Sequence, residues 1–392
     1  MAEELKGPAA YSYNLTTETP IDIDTMIYIL SPASMPLVHG IDSDGVPLLS
    51  SSPTGDVIFY WLEEDVPLPR DTLAVAIPDG VATTLTVGTA GAVKFRVGDQ
   101  IRIDDEIMIV TDLNTTTEVL TVTRGSATET NTTAVAHVIG SEVIGMGSLL
   151  IEGAVGAANF KGRDKFSNYA QIFSTTVQMS RTEQSIKKYG VPSELARQMA
   201  NAIHTTGVGL EQAAMYGHKF QHATNFRRQT GGLKDFVTTN TNSGDLWLTV
   251  DTIQDMQQRI FNAGGDPSDL FIMAQPAAFD ALNNTLGSER IQSVSVDDPQ
   301  RGRKRALSVN TEFGTVDLCR NRWVKTTDAF AVKRSGFSRR VLQPMITQQL
   351  AKTDDTDKYL MVTEFGFQVK GQAHMGIWTG LNVNSALPGD LV

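Results

Sequence analysis

After Gly190 the chain carries one long apolar repeat of helical period, inside a sequence whose texture is otherwise that of short strands and turns. Pro192 stands where a first helical turn tolerates proline, and Ser193 is a suitable cap. Leu195, Met199, Ile203, Leu210 and Ala214 then recur on one face until Gly217 stops the run. A continuous helix over 192–217 is about 40 Å long at 1.5 Å per residue. Gly207 and Gly209 interrupt it. Each weakens an exposed helix by roughly 1 kcal/mol relative to alanine, which predicts a bend there. With 33 glycines and abundant threonine elsewhere, the chain reads as α+β rather than as a helical bundle.

The first 55 residues contain Pro8, Pro20, Pro32, Pro36, Pro47 and Pro53 and no clear hydrophobic period. Proline disfavours helix interiors and central strands, so an extended arm is expected. Tyr11, Tyr13, Met26, Ile27 and Tyr28 are costly to leave in water, which favours an arm docked on other subunits over a disordered tail. Val57–Leu62 is a β-rich run ended by Glu63-Glu64-Asp65. From Thr83 to Met146 short strand patterns (84–87, 100–103, 106–111, 119–123, 142–144) alternate with turns such as Gly98-Asp99, Asp104-Asp105 and Arg124-Gly125. Such spacing predicts a small antiparallel barrel or sandwich, with Ile101/Ile103 and Ile107/Ile109 as its core.

Beyond the long helix, Thr249–Ala263 is amphipathic through Ile253, Met256, Ile260 and Phe261, and is closed by Gly264-Gly265. Leu270–Ala274 is a continuous apolar run, read as a buried strand, and Pro276–Leu286 as a further helix. Strands are expected at 314–318 and 329–332, with a last hairpin formed by 358–369 and 371–381.

Net charge is −11 and the sequence pI near 5.1. Tight coating of nucleic acid needs a basic surface, because phosphate neutralisation supplies most of the affinity. Enclosing nucleic acid has no such need, and surplus acid keeps subunits soluble before association. The single cysteine, Cys319, cannot form an intrachain disulfide, which fits a reducing compartment. Met1–Lys6 lacks the basic and apolar regions of a secretory signal, and Val143–Phe160 is broken by Glu152. A soluble protein made in the cytoplasm is expected.

Catalytic patterns are missing: there is no nucleophile elbow, phosphate loop or dinucleotide fingerprint. His218 and His222 have ligand spacing on a helix, but Gly217 ends the helix before them, so a solvated helix end outweighs a metal site. Asp42-Ser43-Asp44-Gly45 and Asp354-Asp355-Thr356-Asp357 lack the closing glutamate of a calcium loop and read as turns. Cys319 beside Arg320 reads as a buried strand cysteine before it reads as a reactive thiol. No enzymatic activity, cofactor or metal is expected. The basic run Arg301, Arg303, Lys304, Arg305 has three competing readings: a solvated loop, an inter-subunit salt-bridge loop, or contact with enclosed DNA. Arg227-Arg228 and Arg339-Arg340 share them.

Taken in order, Thr311-Glu312-Phe313-Gly314-Thr315-Val316, Asn321-Arg322, Leu350-Ala351-Lys352-Thr353, Lys358-Tyr359 and Thr363-Glu364-Phe365-Gly366-Phe367 resemble the C-terminal half of the major capsid proteins of tailed double-stranded DNA bacteriophages, the Hong Kong 97-like capsid fold family. Upstream, Trp61, Asn168, Gln171-Ile172, Val177, Ser180, Glu194, Gln198, Glu211, Gly217, Gly231-Gly232-Leu233 and Pro276 fit the same family's order. The segment with Val97-Gly98-Asp99, Thr121-Val122-Thr123-Arg124-Gly125 and His137-Val138-Ile139-Gly140 resembles small β-modules of phage virion proteins. Each motif is weak alone; their order over three hundred residues is specific.

The resemblance implies an N-terminal arm (1–56), an extended hairpin loop (57–175) carrying an inserted β-barrel at about 80–146, a peripheral domain (176–248) with its spine helix at 192–217, an axial domain (249–344) and return strands (345–392). It implies a non-enzymatic major capsid protein that self-assembles as pentamers and hexamers into an icosahedral virion head, built in the host bacterial cytoplasm. Partners would be the chain's own copies, a portal protein and a decoration protein. No helical scaffolding segment precedes the arm, so scaffolding would be separate or lacking. An encapsulin-like compartment shell and a phage tail or adhesin component are the alternatives. Candidate inter-subunit contacts are Glu63, Glu64 and Asp65 against Arg227, Arg228 or Arg301, Arg303, Lys304 and Arg305.

Overall fold

A computed structural model describes residues 35–38, 49–64, 68–150, 152–153, 163–186, 193–285, 291–292, 308–352 and 354–383. The chain divides into two compact units, Met1–Tyr60 with Ser167–Val392, and Trp61–Phe166. A two-stranded ribbon, Ile58–Glu63 with Asp164–Tyr169, contains the division in both of its strands.

In the larger unit the helical period forms one helix, Glu194–Tyr216. The Ser193 hydroxyl accepts from the Ala196 amide and caps it. Gly207 and Gly209, expected to interrupt the helix, both lie inside its unbroken span. Gly207 is there for close approach: a Cβ would collide with Met35 Sδ, so the missing side chain makes room for the arm.

Two sheets surround this helix's apolar face. One has the order Ser50–Pro53, Phe337–Gln349, Thr356–Val369, Gln171–Ser180. The other has the order Thr241–Leu246, Gly376–Leu381, Ala329–Lys333, Leu270–Ala274, Gly314–Arg320, Ser308–Thr311, Ile291–Gln292. Leu270–Ala274 is buried along its whole length because both its faces are covered. Phe271 and Met273 join a core with Leu210, Ala214, Phe365 and Phe367. Leu270, Ile272 and Ala274 join a second core with Ile253, Met256 and Ile260 of helix Val250–Asn262 and Phe279 of helix Pro276–Thr285.

The last expected hairpin is corrected. Thr356–Val369 pairs with Phe337–Gln349 and with Gln171–Ser180, while Gly376–Leu381 pairs with Ala329–Lys333 and Thr241–Leu246 in the other sheet. The connection only resembles a hairpin turn. Gly371 takes a left-handed φ of 60°, and a 3₁₀ turn at Gln372–His374 sends the chain to the second sheet.

The smaller unit holds six antiparallel strands in the order Arg70–Thr72, Glu142–Ser148, Asp99–Ile103, Glu106–Asn114, Val119–Thr123, Thr84–Thr86. The Ala74 amide donates to Thr86 O (2.9 Å) and the Gly88 amide to Thr72 O (3.2 Å), so a bridge between Leu73 and Val87 joins the two end strands and gives the sheet the form of a small barrel. The first strand, at Arg70, lies outside the 80–146 expected for the module. Ile101 and Ile103 are in its core, but Ile107 and Ile109 are not; Met108 and Val110 take their place. The phase of that strand is set by Glu106, which points inward to a buried partner.

Candidate assembly surfaces

For a chain without a catalytic motif, the functional features are those that hold its extended parts and present charge to neighbours. The arm is the first of these. The Leu37 amide donates to Glu211 Oε1 (3.0 Å) and the Val38 amide to Oε2 (3.1 Å), while Asn321 Nδ2 donates to Oε1 (2.7 Å). Glu211 is fully buried on the long helix, so one carboxylate takes the backbone donors of both Leu37 and Val38. Residues 35–38 and 49–53 are therefore packed on their own subunit, within an arm expected to be ordered chiefly by neighbours. Residues 1–34 and 39–48, Asp42–Gly45 among them, lie outside the described ones.

Burial pushes the Glu211 carboxyl up to about 7, against the lowering by its bonds from Leu37, Val38 and Asn321. The folded value lies above the ordinary 4.5, so the folded state holds the extra proton between the two. This contribution to stability is complete below pH 4.5 and is lost as pH rises through about 7. We expect urea unfolding of the larger unit to lose about 3 kcal/mol over that window from this group. Glu211→Gln should flatten the slope, and an unchanged slope in the variant would refute the assignment.

Asn168 marks the point where the chain enters the larger unit from the ribbon. Its Nδ2 donates to Gly231 O (2.9 Å), Phe367 O (2.6 Å) and Thr230 Oγ1 (3.2 Å), and its Oδ1 accepts from the Gly231 amide (2.9 Å). Every polar atom of the amide is thereby used in the interior.

The candidate charges are placed differently from one another. Glu63 accepts from Trp61 Nε1 (2.8 Å), and Glu64 pairs with Arg163 (3.0 Å) with both side chains largely in solvent. Arg228 pairs with Glu364 (3.1 Å), mostly shielded from water. Arg227 beside it is exposed. Asp65, Arg301, Arg303, Lys304 and Arg305 lie outside the described residues.

In the barrel, Arg124 donates from Nε (2.8 Å) and Nη2 (2.6 Å) to the two oxygens of Glu106, and both side chains are buried. His137 places Nε2 3.0 Å from Glu106 and Nδ1 2.9 Å from Asp104. Burial pushes the Glu106 carboxyl up. The bonds from Arg124, the Val135 amide and His137, with the charge of Arg124, outweigh it and hold the carboxyl below its ordinary value.

His218 and His222 lie beyond the helix end at Tyr216 and are used locally. His218 Nδ1 meets Asp235 (2.6 Å), and His222 Nδ1 accepts from the Thr224 amide (3.1 Å). Cys319 is buried, and Asp354, Asp355 and Asp357 are ion-paired with Lys358, Arg181 and Lys352. Among the described residues no group of His, Cys, Asp and Glu could hold a metal, and no helix is long and apolar enough to cross a membrane.

The family model described as SU10 major capsid protein matches residues 8–382. The chain belongs to the SU10 major capsid protein family. Comparison with curated proteins found no match. Among solved structures, the capsid of Myoviridae phage XM1 covers 96% of this chain and 100% of its own at 11% identity and a TM-score of 0.49. An empty GTA particle capsid covers 95% and 98% at 7% identity, TM-score 0.48. The encapsulin of a holo-SrpI complex from Synechococcus elongatus PCC 7942 covers 57% and 78% at 12% identity, TM-score 0.40.

In this capsid subunit several of the residues that carry the resemblance also carry the fold. Glu211 and Asn321 hold the arm, Asn168 holds the ribbon's exit, and Glu364 holds Arg228. Two features escaped sequence reasoning: the Glu106–Arg124 pair, and the seating of Met35 on Gly207. A glutamate alternating with core residues in a β-run was the available signal for the first. A glycine in the middle of a helical period was the signal for the second.

Proposed function

We propose that this major capsid protein assembles as pentamers and hexamers into an icosahedral head enclosing packaged double-stranded DNA, and that it does so in the cytoplasm of the bacterial host. The observation that carries the reading is the family match over residues 8–382. The net charge of −11 supports an inner wall that confines DNA without gripping it. The subunit's role is structural, without chemistry of its own. Its partners beyond its own copies are a portal protein, a scaffold and a decoration protein.

In this reading Glu63, Glu64 and Asp65 set register against a basic cluster on an adjacent subunit, drawn from Arg227, Arg228, Arg301, Arg303, Lys304 and Arg305. Exposed Glu64 and Arg227 are the most available of the described ones, since Arg228 is already paired with Glu364. Opposed charges act chiefly by penalising wrong docking. Electron microscopy of the purified protein tests the whole reading: closed shells are expected, and tubes or monomers under all conditions would sink it. Reversing Glu63, Glu64 and Asp65 to lysine should abolish shells while moving subunit stability by only about 0–1 kcal/mol. Reversing the matching basic cluster should restore them. Normal shells from the triple reversal at low and high salt would end the charge-register idea.

A further inference from the structure

A groove of about 630 Å³ lies in the larger unit between the long helix, strand Ser50–Pro53 and strand Phe337–Gln349. Its walls are apolar, with Ile203, Leu210, Val341, Leu342, Met345 and Phe365 facing it. Its volume falls within the range that holds a ligand or a short peptide segment. Arg339 also lines it, its guanidinium 5.7 Å from the Phe365 ring. Arg339 Nε is buried without a hydrogen-bond partner, and among the described residues no carboxylate pairs with this side chain. The adjacent Arg340 differs, because its Nε donates to Gln368 (2.8 Å). A cation in an apolar groove, lacking its anion, indicates that the occupant carries acid as well as apolar surface.

One segment of the chain has that composition. Asp22-Ile23-Asp24-Thr25-Met26-Ile27-Tyr28-Ile29-Leu30 sets two carboxylates just ahead of five consecutive apolar residues. Its attachment point is at the groove: Met35 sits over Gly207, and Gly207 and Val38 both line it. At no more than 3.6 Å per residue, Leu30 lies within roughly 18 Å of Met35 and Asp24 within roughly 40 Å. A tether this short gives an effective concentration on the order of millimolar, above that of any other copy in dilute solution.

We propose that this groove seats residues 22–30 of its own chain, with Met26–Leu30 filling it and Asp22 and Asp24 supplying the carboxylate that Arg339 lacks. Seated there, the most apolar stretch of the arm is out of water in the unassembled subunit, where it would otherwise form an exposed patch prone to association. The inference concerns the free subunit and does not depend on shell formation.

Limited chymotrypsin digestion of the full chain at low concentration tests it, with Tyr11 and Tyr13 as internal references for Tyr28. Cleavage after Tyr28 is expected to be about tenfold slower than after Tyr11 or Tyr13, at every dilution. Arg339→Asp should remove that protection, and adding Asp22→Arg with Asp24→Arg should restore it. Met345→Asp, at the partly exposed rim, should remove protection without touching the charge pair or the Phe365 stack. Equal cleavage at the three tyrosines in the parent, or no rescue by the swapped charges, overturns the proposal. Protection that grows with protein concentration would assign the groove to a second copy's arm and overturn it equally.

Discussion

Glu106→Ala is expected to unfold the barrel while the larger unit stays folded. The Glu106 carboxylate accepts both ends of the Arg124 fork, the Val135 amide (2.9 Å) and His137 Nε2. Arg124 also donates to the carbonyls of Asp79 and Ala82, so it anchors the loop before the second barrel strand. Removing the carboxylate leaves a guanidinium in the interior with no countercharge, a loss of about 3–5 kcal/mol. A domain of this size has only about 5–15 kcal/mol in total, so a large share of its stability goes. Because the unit has its own core, built on Leu85, Ile101, Ile103, Val110 and Leu120, the effect should stay within it.

Calorimetry of the full chain should therefore show one transition lowered or lost and another unmoved. The pH dependence has a definite sign. Glu106 sits below its ordinary 4.5 in the folded state, so its contribution is complete above that value and is lost as pH falls through the folded value. The parent's barrel should weaken in acid more than the variant's. A single transition that shifts as a whole, or no shift, would show that the pair does not hold the barrel.

The sequence legible without coordinates was that in which one period dominates. The long helix was readable because Ser193, five apolar positions and Gly217 agree on start, face and stop. Leu270–Ala274 was readable as a strand covered on both sides because nothing polar interrupts it. The barrel strands were readable from turn spacing, but the inward face of Glu106–Asn114 was not. Pattern reading assigns a glutamate to solvent, and the opposite phase is made stable by Arg124, eighteen residues away, with the Val135 amide and His137. Gly207 misled for the same reason: its propensity cost is local, whereas the arm residue that fits over it is remote in sequence. Partner choice after Gly371 was equally hidden, since it depends on which core Trp378 and Leu381 enter, and both enter the core of the second sheet. Of the candidate contacts, residue type was readable, but occupation was not. Nothing in Arg227-Arg228 says that the second is already bound to Glu364.

Asn168→Ala is expected to cost about as much in the larger unit as the loss of Glu106 does in the barrel. The side chain replaces backbone partners for three segments that no sheet joins at that point. Gly231 has both its amide and its carbonyl on Asn168, Phe367 has its carbonyl there, and the Tyr169 amide donates to Oδ1 (2.8 Å). All of this is dry: Asn168 and Thr230 are fully buried. Alanine leaves several backbone groups without partners, each worth about 1–3 kcal/mol when stranded in the interior, so a total near 4 kcal/mol is expected. Asn168→Asp keeps the acceptor for Gly231 and Tyr169 but turns a donor into an oxygen facing the Gly231 and Phe367 carbonyls, so it should be no milder. The consequence reaches assembly because Asn168 ties the ribbon's exit to Gly231, just past the long helix, and to the strand Thr356–Val369. Shell yield at a temperature where the parent assembles should fall to background in both variants. It should recover on cooling for alanine, whose defect is one of stability, if the subunit refolds. Shells at parental yield, with urea unfolding of the larger unit shifted by less than about 1 kcal/mol, would show that water satisfies these groups and that Asn168 is dispensable.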